Sequence, residues 1–265
     1  MRKILIVGNW KMHLNAGQAS LLVHRLAERV KIHRDIEVVL APSMLVLQPL
    51  SVQLDRRKFR LAAQNAYHKD EGPYTGEVSF TMLRDLVHYV IVGHSERRRL
   101  FHEDLPTVRD KVAAAFRNEI TPILCVGETK TERDDKETKQ VLHDQLMSAL
   151  HNLTAPEVGN MVVAYEPVWA ISKGTDFMSH EIANPTAVKE AVDYIRSYIS
   201  DVFGPKASKK VRVLYGGSTV PEAVHGFLDI EGVDGFLVGG ASLNYQIFAD
   251  IITAARSWQR NQEPK

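Results

Sequence analysis

The chain has 265 residues, 45% of them hydrophobic, and its formal net charge at pH 7 is +1. A core of this apolar content can support one large α/β barrel, a fold that routinely reaches this length. The near-neutral charge argues against nucleic acid or an anionic membrane as a partner, because both attract strongly basic surfaces. The single cysteine, Cys125, excludes an intramolecular disulfide and a cysteine-based zinc site.

No apolar run in the sequence approaches the ~20 residues that a membrane helix needs. The first apolar run, residues 4–7, is too short for the core of a signal peptide. We therefore expect a soluble protein of the reducing cytoplasm. In that setting the sequon Asn152-Leu153-Thr154 would stay unused.

Short apolar runs of strand length alternate with longer amphipathic stretches along the whole chain. The strand candidates are residues 4–7, 36–40, 59–63, 90–92, 122–126, 161–164, 211–214 and 235–238. The helical candidates that follow them in turn are residues 19–30, 44–54, 77–86, 108–116, 141–150, 187–203, 221–228 and 243–255. Continuous apolar strands of this kind are typical of strands covered on both faces.

Eight consecutive strand–helix units predict one closed (β/α)₈ barrel that includes residues 1–265 as a single domain. A doubly wound open sheet is the competing fold. That fold is expected to carry a Gly-x-Gly-x-x-Gly turn after its first strand. This chain has Gly8-Asn9-Trp10-Lys11-Met12 there, which does not match. The polar tail from about Gln259 is expected to fray.

In such a barrel the active site lies at the C-terminal ends of the strands. The polar and charged residues that we consider for this site follow six of the eight strand candidates. They are Asn9, Lys11, Gln64, Asn65, His94, Glu96, Arg97, Arg98, Glu128, Glu166 and Ser218.

Glu166 follows the strand candidate at 161–164, and Pro167 after it offers no N–H for sheet pairing. Beside Trp169 and Ile171 this carboxylate would be poorly solvated, which disfavours its charged form and makes it a stronger base near neutral pH. A glutamate held in a salt bridge at the strand end is the competing interpretation, and this stretch alone leaves both open.

Two glycine-rich turns, Tyr215-Gly216-Gly217-Ser218 and Gly239-Gly240-Ala241-Ser242, follow the last two strand candidates. Such turns let backbone N–H groups approach an anion, and each opens a helix whose dipole favours negative charge. Either turn alone is more often structural. Because both lie on neighbouring strands of a barrel, together they favour a phosphate site.

His94 starts a short helix, where the N–H groups disfavour the imidazolium form, so we expect a neutral ring that can donate to a substrate oxygen. Lys11 would supply a positive charge at the same mouth. For each residue alone there is a structural alternative. His94 could be a surface or core histidine whose hydrogen bonds are all made within the protein, and Lys11 could be an ordinary surface lysine. Glu96 is expected to form an ion-pair network with Arg97 and Arg98, and Glu128 either joins it or is a solvated turn residue.

The remaining chemistry is limited. His102 and Glu103 lack a third ligand at metal spacing, so no metal site is expected, and Ser218 and Cys125 lack a nucleophile's surroundings. A base, a neutral imidazole, a lysine and a phosphate cradle suit proton abstraction next to a carbonyl. A phosphorylated hydroxy-carbonyl substrate would make the protein an aldose–ketose isomerase.

Five blocks of this sequence resemble the triosephosphate isomerase family, in the family's order and across Gly8 to about Ile252. They are Asn9-Trp10-Lys11-Met12, Gly93-His94-Ser95-Glu96-Arg97-Arg98, Ala164-Tyr165-Glu166-Pro167-Val168-Trp169-Ala170-Ile171, Tyr215-Gly216-Gly217-Ser218 and Gly239-Gly240-Ala241-Ser242-Leu243. A glutamate base with a neutral histidine is a known pairing in this family.

The resemblance implies that Glu166 moves the proton between C1 and C2 of dihydroxyacetone phosphate while His94 and Lys11 stabilise the enediolate, with Asn9 at the same site. Gly239 and Gly240, with Ser218 and Ser172 of the lid, would hold the phosphate, and Glu96 would support the site. It also implies a homodimer without cofactor or metal, in which Thr75 of the loop 72–77 reaches the neighbour's active site.

Three positions depart from the family's pattern. The lid reads Ser172-Lys173-Gly174-Thr175-Asp176-Phe177-Met178-Ser179-His180, so Ser172 replaces a phosphate-binding glycine and the next helix starts late, near Asn184-Pro185. A backbone donor survives that change unless the glycine's φ was positive. His13 replaces an asparagine beside the site, and Ser43 replaces a proline after the second strand, where only packing is affected.

Two other functions compete with the isomerase. Sugar-phosphate isomerases of amino acid biosynthesis rely on aspartates at strand ends, which Glu166, His94 and Lys11 do not match. A catalytically weak paralogue that binds phosphosugars or a partner protein would fit the altered lid but not the retention of all three residues.

Overall fold

The computed structural model describes residues 3–31, 34–171 and 183–262. Eight parallel strands pair in sequence order, and the last pairs with the first, so the sheet closes into a barrel. They are β1 Ile4–Asn9, β2 Ile36–Ala41, β3 Phe59–Ala63, β4 Tyr89–Val92, β5 Thr121–Val126, β6 Val162–Tyr165, β7 Arg212–Tyr215 and β8 Gly235–Val238. The predicted (β/α)₈ barrel is confirmed.

Helices of the described ranges surround this barrel. They are α1 Ala16–Arg29, α2 Met44–Gln53, α3 Phe80–Leu83, α4 Ser95–Leu100, α5 Leu105–Arg117, α6 Lys130–Asp134, α7 Thr138–Ala149, α8 Ala155–Asn160, α9 Pro185–Phe203, α10 Pro205–Lys210, α11 Val224–Leu228 and α12 Tyr245–Asn261. Short 3₁₀ turns, Val168–Ala170, Pro221–Ala223 and Gly240–Leu243, follow β6, β7 and β8. Among these helices, none is long and apolar enough to cross a membrane.

The core has two layers, because the strands are buried on both faces. One cluster of side chains fills the barrel interior: Leu5, Val7, Val39, Ala41, Ala62, Tyr89, Ile91, Ile123, Cys125, Val162, Ala164, Leu214 and Leu237. The larger cluster lies between the barrel and the helices. In β6 the interior positions alternate as Val162 and Ala164, so the next position of the same parity, Glu166, lies at the C-terminal mouth.

A polar cluster lies near the opposite end of the strands. Glu37 on β2 accepts a hydrogen bond from the Tyr89 hydroxyl at 2.8 Å and pairs with Arg212 on β7 at 2.8 Å, and Arg212 also donates to the Tyr89 oxygen at 2.7 Å. Burial alone would raise the pKa of Glu37, but the hydrogen bonds and charges of Arg212, Tyr89 and Arg60 lower it below the ordinary value. This cluster ties three strands together, remote in register from the strand ends that carry Glu166.

Two helix predictions need correction. The stretch 77–86 is helical only at Phe80–Leu83, because the Ser79 hydroxyl caps the helix at the Met82 N–H and Val78 pairs through its carbonyl with the Tyr67 N–H. The last helix runs through Asn261, with Gln259 only 3% exposed, so the tail does not fray from about Gln259 as expected. The indole of Trp258 donates to Asp229 at 2.7 Å and helps to hold this end.

Candidate active site

A cavity opens at the C-terminal ends of the strands and contains most of the residues that the sequence singles out. Its lining includes Asn9, Lys11, His94, Glu166, Ser218, Gly239 and Gly240. These residues come from the ends of β1, β4, β6, β7 and β8, so the closed barrel brings together residues that are up to 231 positions apart, from Asn9 to Gly240.

Glu166 lies at the bottom of this cavity and is 2% exposed. Its Oε1 is 3.0 Å from Nε2 of His94, and its Oε2 accepts a hydrogen bond from the Ser95 N–H at 3.0 Å. The sequence left open whether a salt bridge holds Glu166 at the strand end. In the structure the imidazole of His94 and the N-terminus of α4 hold its carboxylate. The backbone N–H of Glu166 donates to Val126 O at 2.7 Å and anchors it to β5.

The tautomer of His94 follows from its hydrogen bonds. His94 is the N-cap residue of α4, and its Nδ1 accepts from the Glu96 N–H at 3.2 Å. A nitrogen that accepts a hydrogen bond carries no proton, so the proton of the neutral ring is on Nε2, the atom that faces Glu166. The helix start expected at this histidine is confirmed.

Lys11 reaches the same cavity from a strained backbone with φ of 52°. The Asn9 side chain accepts from the Lys11 N–H at 3.1 Å, and Gln64 donates to the Lys11 carbonyl at 2.8 Å. The ammonium of Lys11 lies 2.7 Å from Oε1 of Glu96. Burial alone would raise the pKa of Glu96, but the hydrogen bond and charge of Lys11 outweigh it and lower the pKa.

The predicted ion-pair network of Glu96 with Arg97 and Arg98 is wrong in its partners. Glu96 pairs with Lys11, whereas Arg97 pairs with Glu103. Arg98 instead donates to the carbonyl of Gly93 at 2.7 Å. Residues one and two positions apart on a helix do not face each other, so neighbours in sequence here point to different partners.

Glu128 is 0% exposed, which excludes the solvated turn that the sequence left open. Its carboxylate accepts hydrogen bonds from the Tyr165 hydroxyl at 3.1 Å and from the Trp169 indole at 2.9 Å, and Arg133 lies 3.7 Å away. The Arg133 guanidinium also stacks over the Trp169 ring at 4.1 Å. Glu128 therefore anchors the chain just before the lid.

The glycine turns after β7 and β8 line the side of the cavity beside Lys11 and Glu166. A Cβ on Gly216 would lie 2.9 Å from Cγ of Glu166, so part of the need for glycine there is steric. The Ser218 N–H donates to Ala170 O at 3.0 Å, while its buried hydroxyl has no hydrogen-bond partner among the described residues. An orphaned hydroxyl in a cavity wall is suited to a polar ligand.

Some of the predicted residues lie elsewhere. Ser172 and the lid stretch up to His180 are outside the described residues. The late helix start after the lid is confirmed, because α9 begins at Pro185 and the Asn184 side chain caps it through the Thr186 N–H at 2.9 Å. Thr75 is exposed and is not among the described residues that line this cavity.

Cys125 lies in the barrel interior directly below the cavity and is 1% exposed. Burial, together with the nearby charge of Glu166, raises the pKa of its thiol. A protonated thiol is a poor nucleophile, as expected from its position in a strand. Within the described ranges no three His, Cys, Asp or Glu side chains cluster closely enough to hold a metal ion.

The sequence did not single out two groups of this site. The Ser95 N–H that holds Glu166 belongs to the backbone, so no residue type signals it. The second is the role of Tyr165 and Trp169 as hydrogen-bond donors to the Glu128 carboxylate, because the sequence indicates Trp169 only as an apolar neighbour of Glu166. An aromatic at each of these positions, beside a strand-end glutamate, was the available signal.

Comparison with known proteins agrees with this geometry. The family model described as triosephosphate isomerase matches residues 4–255. A protein named triosephosphate isomerase from Citrifermentans bemidjiense is 43% identical over 253 residues, which cover 95% of this chain and 98% of the relative. Proteins of the same name from Syntrophotalea carbinolica and Clostridium botulinum are 41% and 40% identical over 95% of this chain and 98% and 99% of theirs. The chain belongs to the triosephosphate isomerase family.

Proposed function

We propose that this protein interconverts dihydroxyacetone phosphate and D-glyceraldehyde 3-phosphate through an enediolate, the step shared by glycolysis and gluconeogenesis. Membership of the family supports the reaction. The observation that carries the assignment to residues is the contact between Oε1 of Glu166 and Nε2 of His94 at 3.0 Å, in a cavity that also contains Lys11.

In the proposed mechanism the Glu166 carboxylate takes a proton from C1 of dihydroxyacetone phosphate and returns it to C2. The electron pair of the broken C1–H bond forms the C1–C2 double bond, and the C2 carbonyl oxygen takes the negative charge. The proton of the C1 hydroxyl then moves to the C2 oxygen, so that C1 becomes the aldehyde carbonyl when C2 is protonated. In the structure the carboxylate lies against Ser95 and His94. To reach the substrate carbon, the carboxylate would have to leave both the Ser95 N–H and Nε2 of His94. A substrate oxygen would then take its place at Nε2 of His94.

His94 would act as a neutral donor. Its Nδ1 is held by the Glu96 N–H, so the Nε2 proton is available for the oxygen on which charge develops. Lys11 would neutralise the charge of the substrate, with Glu96 holding the ammonium at the edge of the cavity. Asn9 fixes the backbone N–H of Lys11 and would contribute its amide to the same oxygens.

The phosphate would bind at the glycine turns after β7 and β8. Gly239 and Gly240 open a 3₁₀ turn in the cavity wall, and the Ser218 hydroxyl is buried there without a partner among the described residues. We propose Ser172 of the lid as a further phosphate donor. The isomerisation exchanges no electrons with an outside acceptor, and His94 and Lys11 would stabilise the enediolate, so the proposal includes no cofactor or metal.

We propose that two copies of the chain form a homodimer. Exposed apolar side chains follow the first four strands: Met12 at 94%, Leu45 at 80%, Tyr74 at 37%, Met82 at 68% and Phe101 at 63% exposure. Apolar groups gathered on one side of a barrel favour burial against a partner. In the dimer Thr75 would reach the neighbour's site from the loop that Gly76, with φ of 92°, helps to turn.

The dimer can be tested by light scattering on Met12→Arg, with Val202→Arg as the control. Val202 is 56% exposed on α9, away from the proposed interface. We expect Met12→Arg to give monomers and Val202→Arg to stay dimeric. A wild-type monomer at micromolar concentration would refute the proposed assembly. We also propose a cytoplasmic location, which the single buried thiol of Cys125 supports.

The reaction is tested by turnover of glyceraldehyde 3-phosphate, with methylglyoxal and free phosphate assayed in parallel. We expect fast isomerisation by the wild type and a loss of about 10²- to 10⁴-fold in Glu166→Gln, because the base is removed. The matched control is Glu28→Gln, since Glu28 is 67% exposed on α1. Absence of turnover in folded wild-type protein would refute the proposal and favour a phosphosugar-binding paralogue.

A further inference from the structure

Arg98 occupies an unusual position for a cation near the bottom of the cavity. It lies on α4 one turn after His94, and its N–H donates to His94 O at 3.1 Å. Within the described ranges its guanidinium forms no ion pair; instead it donates through Nε to Gly93 O at 2.7 Å and through Nη2 to Cys125 O at 3.3 Å. Burial lowers the pKa of Arg98, so the charge is held there at a free-energy cost.

The two carbonyls mark the place where β4 leaves the sheet. β4 and β5 pair up to Val92 and Leu124, so Gly93 and Cys125 are the next residues in register. Gly93 turns away with φ of 70°, and its carbonyl would lose its sheet partner. The Arg98 guanidinium supplies the missing donor and bridges the end of β4 to β5.

The guanidinium also packs against the turn. A Cβ added to Gly93 would lie 2.7 Å from Nη2 of Arg98 and 3.2 Å from its Cζ, so the planar group fills the space that a side chain would take. Gly93 therefore needs to be glycine both for its positive φ and for this contact. Arg98 clamps the residue that directly precedes His94.

The start of α4, which follows the residue held by Arg98, contacts both proposed reacting groups. The Glu96 N–H fixes Nδ1 of His94, and the Ser95 N–H holds Oε2 of Glu166. On the other side of the clamp, Cys125 precedes Val126, whose carbonyl accepts the Glu166 N–H at 2.7 Å. Arg98 thus connects the turn that carries the imidazole to the strand that anchors the carboxylate.

We propose that Arg98 is a positioning residue for catalysis, which sets the orientation of the first N–H groups of α4 and thereby the tautomer of His94 and the location of Glu166. It touches neither substrate nor reacting atoms in this arrangement and acts through Gly93, Ser95 and Glu96. The inference rests on the isomerase reaction proposed above.

The test compares Arg98→Gln and Arg98→Lys with Arg99→Met. Glutamine keeps a neutral NH₂ donor group without the charge, and lysine keeps the charge without the planar fork. Arg99 is the matched control, because it is exposed on the same helix and its side chain has no ion pair or hydrogen bond with the described residues. Rates are normalised to folded protein, and thermal stability is measured for each variant.

We expect kcat to fall about 10- to 100-fold in Arg98→Gln and less in Arg98→Lys, because a shift of ~1 Å in reacting groups costs about 10²-fold. KM should stay within about twofold, since the glycine turns that would hold the phosphate are not on α4. The ¹⁵N spectrum of the His94 ring should show one tautomer, protonated at Nε2, in the wild type and a mixture in Arg98→Gln.

Two results would overturn the inference. One is a folded Arg98→Gln protein whose kcat stays within twofold of the wild type or falls no more than that of Arg99→Met. The other is an Arg98→Gln protein that loses only thermal stability while His94 keeps one tautomer, which is what a purely packing role would give. The ring spectrum can be read even in a protein without turnover, so a failure of the proposed reaction is distinguished from a failure of the role of Arg98.

Discussion

The contact between Gly216 and the proposed base makes a quantitative prediction for Gly216→Ala. The added methyl group would lie 2.9 Å from Cγ of Glu166 and 3.1 Å from the Tyr165 carbonyl. The backbone of Gly216 cannot retreat easily, because its N–H donates to Tyr165 O at 2.8 Å. The side chain of Glu166 is the part that has to give way.

The displacement and its effect on rate can be worked out from these distances. Carbon atoms in ordinary contact are roughly 3.5–4.0 Å apart, so Cγ of Glu166 has to move by about 0.6–1.1 Å. A misplacement of ~1 Å costs about 10²-fold in rate. We therefore expect kcat to fall by roughly 10- to 100-fold, which corresponds to about 1.4–2.7 kcal/mol in activation free energy.

The assay is steady-state isomerisation of glyceraldehyde 3-phosphate together with denaturant unfolding. The control is Gly226→Ala, the same chemical change on α11. Apart from its chain neighbours and the backbone of its own helix, an added Cβ there has no atom of the described residues within 4 Å. We expect Gly226→Ala to keep full activity and to gain about 0.5–1 kcal/mol in stability. Gly216→Ala should lose about 1–3 kcal/mol in stability from overpacking.

A value of kcat within twofold of the wild type in folded Gly216→Ala would refute this reasoning. It would mean that the barrel wall absorbs the methyl group without moving Glu166. An equal fall of kcat in Gly226→Ala would also refute it, because no contact connects that glycine to the cavity.

Three further predictions follow from the contacts described above. Glu166→Asp should lower kcat by about 10²-fold or more with little change in KM, because it withdraws the carboxylate by one methylene; unchanged kcat would remove Glu166 as the base. Lys11→Ala should raise KM for the charged substrate by about tenfold or more, and an unchanged KM would remove Lys11 from the site. Glu37→Gln should lower the free energy of unfolding by about 2–4 kcal/mol at pH 7, because it leaves Arg212 unpaired, while kcat stays constant. Because the folded pKa of Glu37 is lowered, its contribution to the free energy of unfolding is present above the ordinary value of 4.5 and is lost as the pH falls below it. The free energies of unfolding of wild type and variant should therefore converge in acid. A constant difference between them from pH 7 to pH 3 would contradict this.

The strands could be predicted from the sequence because apolar content and period are local signals. All eight strand candidates overlap strands of the barrel, and Phe59–Ala63 and Gly235–Val238 agree at both ends. The helix prediction for the stretch 77–86 was wrong over most of its length. Its apolar residues follow a helical period, but Val78 and Ser79 pair with Tyr67. Pairing with a distant segment is not visible in a local pattern.

The members of the site could be predicted more easily than its hydrogen bonds. Asn9, Lys11, His94 and Glu166 all line one cavity, because the end of every parallel strand reaches the same side of the barrel. The partner of Glu96 could not be predicted, since Lys11 lies 85 positions away while Arg97 is adjacent. The strand order determines which distant residues meet, and spacing along the chain carries little information about side-chain direction.

The burial of Cys125 gives the chain a chemical reporter of its own folding. It is the sole cysteine of the sequence, it is 1% exposed in the barrel interior, and burial raises the pKa of its thiol. A thiol reagent in water can reach this sulfur only when β5 separates from its neighbours. The rate of labelling therefore reports the frequency with which the closed barrel opens, without any engineered probe, and does so at the strand that supports the candidate active site.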